Sequence, residues 1–162
     1  MREVKAVTIR RAVEKDAARV LELLSQVLEI HAAIRPDIFI SGTTKYTAED
    51  LASMFSDEKK PVYVAVDASD RVLGYAFCQL REILPGGNQV PMRSIFIDDL
   101  CVDAACRSQG VGKALFQFVA DRARELGCYE VTLNVWEGND AARRFYDARG
   151  MKPKETQMEL IL

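Results

Sequence analysis

The sequence predicts a mixed α/β (α+β) fold in which a mostly antiparallel sheet carries one parallel pair of strands and amphipathic helices pack against it. Three observations support this. Between Pro61 and Val102, β-branched and aromatic runs alternate with turn clusters, the pattern of an antiparallel meander. Before it, apolar residues recur at helical spacing. After it, a long amphipathic helix separates two strand-like runs, a connection long enough for a right-handed crossover that leaves those strands parallel.

The elements follow in order. Val4 to Arg10 has partial alternation and β-branched residues and reads as a first strand. From Asp16 to about Ile30, the residues Val20, Leu21, Leu23, Leu24, Val27 and Leu28 form a wide stripe on one helix face. Pro36 pushes Arg35 out of the helical region, so His31 to Ser41 is less regular. Thr47-Ala48-Glu49-Asp50 resembles a capping box and opens a short helix through Phe55. Pro61 to Val66 and Val72 to Leu80 are strands joined by the charged turn Asp67 to Arg71. Pro85-Gly86-Gly87-Asn88 turns the chain into a third strand, Ser94 to Val102. The stripe Val111, Leu115, Phe118, Val119 and Leu126 defines the next helix, which Gly127 stops. Tyr129 to Val135 is a strand, Asn139 to Ala148 a helix and Gln157 to Leu162 a closing strand.

Composition narrows the functional classes. A chain of 162 residues, 49% apolar, is read as a single domain over residues 1–162. Size scaling lets it bury roughly 70% of its unfolded surface, so no disulfide staple is needed. The 22 basic and 24 acidic residues are interspersed, with no basic block, which argues against nucleic acid. The charged start Met-Arg-Glu-Val-Lys and the short apolar runs argue against export and membrane insertion, giving a cytoplasmic expectation. Cys78, Cys101, Cys106 and Cys128 form no Cys-x-x-Cys, and His31 is the single histidine, so no metal site is expected. The thiols are read as free, with Cys78 and Cys128 in the core.

Gly110 and Gly112 stand where the long helix begins, a place where free backbone N–H groups and the helix dipole favour an anion. Arg107 and Lys113 add positive charge. Two nucleotide motifs fail on spacing. A Walker loop needs four residues between its first glycine and Gly-Lys, and a dinucleotide fingerprint needs a small residue where Leu115 stands. The segment that does match is Arg107-Ser108-Gln109-Gly110-Val111-Gly112, an Arg/Gln-x-x-Gly-x-Gly/Ala pattern preceded by Asp98-Asp99-Leu100-Cys101-Val102. A second segment, Asn139-Asp140-Ala141-Ala142-Arg143-Arg144-Phe145-Tyr146 with Gly150-Met151 beyond it, matches Asn-x-x-Ala-x-x-Phe/Leu-Tyr. Together they resemble the GNAT superfamily of acyl-CoA-dependent N-acyltransferases. Met151 departs from the Phe common after that glycine, and Asp98 stands where some polyamine-type members carry Glu.

The resemblance implies helices on both faces of the sheet and a cleft at its parallel pair that takes acetyl-CoA as co-substrate, without a metal. It implies coenzyme contacts from Leu100, Cys101 and Val102, from Arg107, Ser108, Gln109, Gly110, Val111, Gly112 and Lys113, and from Asn139 and Tyr146. A neutral primary amine of a small molecule or peptide attacks the thioester directly, with a strand N–H near Leu100 stabilising the oxyanion. Asp98 is the expected base and Tyr146 the expected general acid. His31, Arg35 and Asp99, with Asp37 nearby, are expected on the acceptor side. Asn139 has the competing chemistry of an N-cap, and Phe145-Tyr146 that of helix core. Cys101 as a nucleophile with His31 as base is disfavoured by its apolar strand. Two other classes are a non-catalytic acyl-CoA sensor and a dinucleotide-dependent oxidoreductase. A homodimer is a further expectation, since relatives commonly dimerise.

Overall fold

The computed structural model describes residues 6–162. The predicted first strand appears as β1 (Thr8–Arg11); its proposed start at Val4 and Lys5 lies outside the described residues. The first helix, α1 (Ala17–Ile34), carries His31 and runs four residues beyond the predicted end. It stops at Arg35, which takes φ −131° and ψ 72° immediately before Pro36, as the proline ring requires. The short α2 (Ala48–Met54) starts with the expected box: the Thr47 side chain accepts from the Asp50 amide, and the Asp50 carboxylate accepts from the Thr47 amide.

The meander is β2 (Val62–Val66), β3 (Val72–Ile83) and β4 (Met92–Val102). A 3-10 turn at Ala104–Cys106 leads to α3 (Val111–Glu125), then β5 (Glu130–Leu133) and α4 (Asp140–Asp147). The strands lie in chain order, antiparallel except for the parallel β4–β5 pair.

Side-chain alternation separates two cores. Val62, Val64, Val66, Tyr75 and Phe77 face α1 and α2, where Val20, Leu23, Leu51 and Phe55 meet them. Tyr63, Ala65, Leu73, Ala76, Cys78, Ile95 and Ile97 face α3, meeting Val111, Leu115, Phe116 and Val119. Helices therefore cover both faces, which is why all five residues of β2 are buried. Phe116, outside the predicted stripe, is core, whereas Phe118 is half-buried. Cys78 is buried as expected; Cys128 is only partly buried, and Cys101 is the second fully enclosed thiol.

Two departures concern the sheet. The predicted closing strand over 157–162 does not form: the segment is exposed and belongs to no ladder. The alternation of apolar residues there is a strand's, but a strand exists only where a neighbour takes its backbone groups. Instead, Arg35 binds the Glu159 carboxylate through both terminal nitrogens, and Lys154 pairs with Glu130. The second departure is a break in register between β3 and β4. Phe77 opposes Asp99 while Cys78 opposes Ile97, so Asp98 is an extra residue, a β-bulge. Before the bulge Ile95 and Ile97 face α3; after it Leu100 and Val102 do, and Cys101 turns to the α1 side.

Gly74, which sequence reading did not single out, holds this corner together. A Cβ there lies 2.7 Å from the Cys101 carbonyl oxygen and 3.1 Å from Leu115 Cδ1. The first of these is backbone and cannot swing aside. Gly74→Ala is expected to destabilise the protein by about 1–3 kcal/mol, as overpacking does, measured by urea unfolding.

Candidate active site

Pairing between β4 and β5 ends at Ile97 opposite Leu133. Beyond it β4 continues through Val102 paired on its β3 side only, so residues 98–102 present a free strand edge where the two parallel strands part. The bulge marks this point and accounts for it: an extra residue bends its strand and increases the local twist.

At the far end of that edge lies the glycine loop. Ser108 and Gly110 both have positive φ, 62° and 84°, and Gly110 is the residue before the first turn of α3. Left-handed residues in a loop turn backbone N–H groups inward, and the free N–H groups of the helix start continue the concavity. Lys113 is exposed on the first turn. Arg107 folds back, its Nε donating to the Val102 carbonyl at 3.4 Å. Gly112 sits against the second motif: a Cβ on it lies 3.3 Å from the Phe145 ring and 3.4 Å from Val102 Cγ2. The two motifs are thus brought together around the open end of β4.

The two aspartates at the bulge differ. Asp98 is exposed. Asp99 retains partial exposure, yet its carboxyl is surrounded by protein atoms, and the Tyr75 hydroxyl donates to it at 2.6 Å. Burial pushes the Asp99 carboxyl up to about 6, against the downward pull of the Tyr75 hydrogen bond and with the charge of Asp98 adding to the rise. Lys45, from the loop before α2, places its ammonium over the Tyr46 ring and within reach of both carboxylates' fields. Tyr75 and Lys45 were not among the sequence candidates; each lies far along the chain from the motif, and no local pattern marks them.

Tyr146 is tucked beside Phe116 and Phe145, and burial raises its phenol well above the ordinary range, with the charges of Asp99 and Cys101 adding to the rise. Cys101 is enclosed against the Leu23 carbonyl, and burial pushes its thiol up to about 12, so a thiolate nucleophile is unfavourable there. The Asn139 side chain accepts from the Ala142 amide at 3.2 Å, the N-cap of α4.

Of the acceptor-side candidates, Asp99 lies at the bulge, whereas His31, Arg35 and Asp37 gather elsewhere, just past the end of β5. His31 stacks obliquely on Phe39 with ring centroids 5.2 Å apart, and Phe39 meets Trp136 edge-on at 5.5 Å. Burial lowers the His31 pKa, leaving the ring neutral at pH 7. Arg35 stands over Trp136, and its guanidinium is already taken by Asp37 and Glu159. It organises this wall and offers little free charge to a ligand.

Among the described residues no group of three or more His, Cys, Asp or Glu is placed to hold a metal ion, and no helix is long and apolar enough to cross a membrane. The sequential, mainly antiparallel strand order also lacks the switch point at which doubly wound sheets bind dinucleotides.

Comparison with known proteins agrees with the fold. The sequence model of the acetyltransferase (GNAT) family matches residues 24–151. A probable glucosamine 6-phosphate N-acetyltransferase of rice (Oryza sativa subsp. japonica) is 30% identical over 131 residues, 75% of this chain and 74% of the relative. The glucosamine 6-phosphate N-acetyltransferase of Trypanosoma brucei brucei is 25% identical over the full length of both chains. Among solved structures, a mutant of the BH1408 protein from Bacillus halodurans superposes with a TM-score of 0.90 at 30% identity, covering 96% of this chain and 99% of its own.

Proposed function

Because this chain belongs to the acetyltransferase (GNAT) family, we propose that it transfers an acetyl group from acetyl-CoA to a primary amine of a small molecule or peptide by direct attack. The observation that carries this reading is the free edge of β4 at residues 98–102, with a buried, hydrogen-bonded carboxyl at one end and the Ser108–Gly112 loop at the other.

The chain's groups fit the coenzyme. Two residues of positive φ and the start of α3 form a cradle of N–H donors that suits a diphosphate, with Lys113 beside it. The edge of Leu100, Cys101 and Val102 that faces away from β3 suits an extended amide-bearing arm, which can add to it as a strand would. When bound, acetyl-CoA supplies an activated thioester whose acyl carbon an amine can attack.

An amine nucleophile must be neutral, and Asp99 is the group best suited to take its proton. The sequence-based expectation was Asp98, but a carboxyl raised to about 6 holds a proton far better than an ordinary carboxylate and is still ionised at neutral pH. Tyr75 orients that carboxyl through the 2.6 Å hydrogen bond. Tyr146, kept protonated by burial, suits donation of a hydrogen bond to the departing sulfur. Its upward shift widens the gap to a thiol near 8.5, so stabilisation through the shared proton is favoured over complete transfer. Tyr146→Phe is accordingly expected to lower kcat by about tenfold while leaving coenzyme affinity within a factor of about three, checked by steady-state kinetics and calorimetry.

The relatives suggest where to begin with acceptors: two carry names of enzymes acting on glucosamine 6-phosphate. Purified protein is incubated with acetyl-CoA and a panel of amino sugars, amino sugar phosphates, polyamines, amino acids and peptides, and free thiol is followed. Acceptor-dependent thiol release is the expected result. Coenzyme binding with no release above background across the panel overturns it in favour of an acyl-CoA sensor.

A further inference from the structure

At the root of the glycine loop stands a carboxylate that the reaction outlined above does not use. Asp103 follows the free end of β4, and its side chain is buried. Its backbone N–H donates to the Leu73 carbonyl at 2.8 Å, which ties the residue to the start of β3. One carboxylate oxygen accepts from the Ala105 amide at 3.1 Å, and the Asp103 carbonyl accepts from the Cys106 amide at 2.8 Å, closing the 3-10 turn. The glycine loop folds back on that turn. Arg107 donates to the Val102 carbonyl, and the Gln109 side chain donates to the Ala105 carbonyl at 3.5 Å.

A buried negative charge at this place is at odds with an anion in the loop. Burial raises the Asp103 carboxyl, but hydrogen bonds from Ala105, Gln26 and Arg19 outweigh it and hold the group below its ordinary range, so it is ionised at neutral pH. Left uncompensated, that charge would repel a diphosphate and weaken the fold. The compensation comes from α1. Arg19 and Gln26, seven residues apart, share one face of that helix. The Arg19 guanidinium pairs with Asp103, its Nε donates to the Val72 carbonyl at 3.1 Å, and its other terminal nitrogen pairs with the exposed Glu22. The Gln26 amide works in both directions. Its nitrogen donates to Asp103 at 3.3 Å, and its oxygen accepts from the Ala104 amide at 3.0 Å. These partners lie 84 and 77 positions from Asp103 and Ala104, respectively, for Arg19 and for the Gln26 nitrogen and 78 for its oxygen, so no local pattern marks them.

We propose that Arg19 and Gln26 are positioning residues for the glycine loop: they fix the turn from which it springs and cancel the charge of Asp103, so that the loop accepts the diphosphate of coenzyme A. This rests on reading the loop as the coenzyme site. Neither side chain is placed against the coenzyme itself; both act through Asp103 and the 104–106 turn.

Binding of coenzyme A to the full chain is measured by calorimetry at low and at raised salt, for the parent and for Arg19→Met, Arg19→Lys and Gln26→Met. Circular dichroism and urea unfolding establish the folded fraction of each, so that affinity is compared among folded molecules. Arg19→Met is expected to weaken binding by about tenfold or more, and Arg19→Lys, which keeps the charge, to stay within about threefold of the parent. Raised salt should narrow the gap between Arg19→Met and the parent, because the exposed charge of Asp103 is then screened. Gln26→Met removes no charge and keeps a good helix former, so it carries the test should Arg19→Met not fold. It is expected to weaken binding about threefold, to leave the salt dependence as in the parent and to speed hydrogen exchange at the Ala104 amide. If Arg19→Met and Gln26→Met are destabilised yet bind coenzyme A as the parent does, the network only supports the fold and the inference is overturned. Arg19→Lys binding as poorly as Arg19→Met overturns it as well, as does an Ala104 amide unchanged in Gln26→Met. A parent that binds no coenzyme A removes the reading of the whole site, and this inference with it.

Discussion

Asp99→Asn is expected to lower kcat by about 100-fold or more, the range typical of losing a positioned general base. The substitution keeps the shape of the side chain and an oxygen able to accept from the Tyr75 hydroxyl, now at 2.6 Å, so the effect falls on proton transfer and leaves the fold intact. The pH dependence makes the test specific. With the carboxyl raised to about 6, the acid limb of kcat/KM rises with pH through that value, because only the ionised form accepts a proton. The Asn variant loses that limb. Two neighbours move it in opposite directions. Tyr75→Phe removes a hydrogen bond that favours the carboxylate and shifts the limb to higher pH. Asp98→Asn removes a like charge, shifts it to lower pH and leaves kcat within a few-fold. If Asp98→Asn abolishes turnover while Asp99→Asn does not, the base is Asp98.

Stability is linked to the same proton. Asp99 holds it more tightly in the fold than at the ordinary value of 3.8, so the fold is favoured at low pH and that contribution is lost as pH rises through about 6. In the Asn variant, unfolding free energy should be flatter across that window than in the parent, as urea titrations at several pH values will show.

The second large effect is expected at the glycine loop. Gly110→Asp should raise KM for acetyl-CoA by about tenfold or more with kcat retained at saturation, since it sets a negative charge where the diphosphate is expected. Two causes must be separated, because Gly110 has φ 84°, which side chains adopt reluctantly. The backbone cost for a non-glycine residue is roughly 1–2 kcal/mol, and aspartate bears it better than alanine. Gly110→Ala therefore reports strain without charge. Added salt should restore affinity partly to the Asp variant and not to the Ala variant, because only the charge is screened. Unchanged affinity in the Asp variant would move the phosphate site elsewhere.

Much of the framework was legible because its signals are local. The Thr47 and Asp50 capping pair, the five-residue apolar run of β2, the stripe of α3 and the turn at Asp67 to Arg71 each involve residues within one or two turns of one another. The glycine loop was legible for the same reason, since Arg107 to Gly112 is contiguous and opens a helix. Local signals failed at 157–162, where the strand pattern is present and the partner strand is not. They were also silent on Gly74, whose need for a bare Cα arises from the Cys101 carbonyl across the ladder.

The choice between the two bulge aspartates shows the division most clearly. Sequence alone determined that a carboxylate pair precedes an apolar strand end and a glycine loop, and so which chemistry to look for. Only the tertiary structure decided which carboxyl is buried, because one extra residue against β3 reverses the alternation and brings Asp99 to Tyr75, 24 positions away in the chain. Desolvation and ladder pairing are properties of what surrounds a group in space, and chain order does not specify those neighbours.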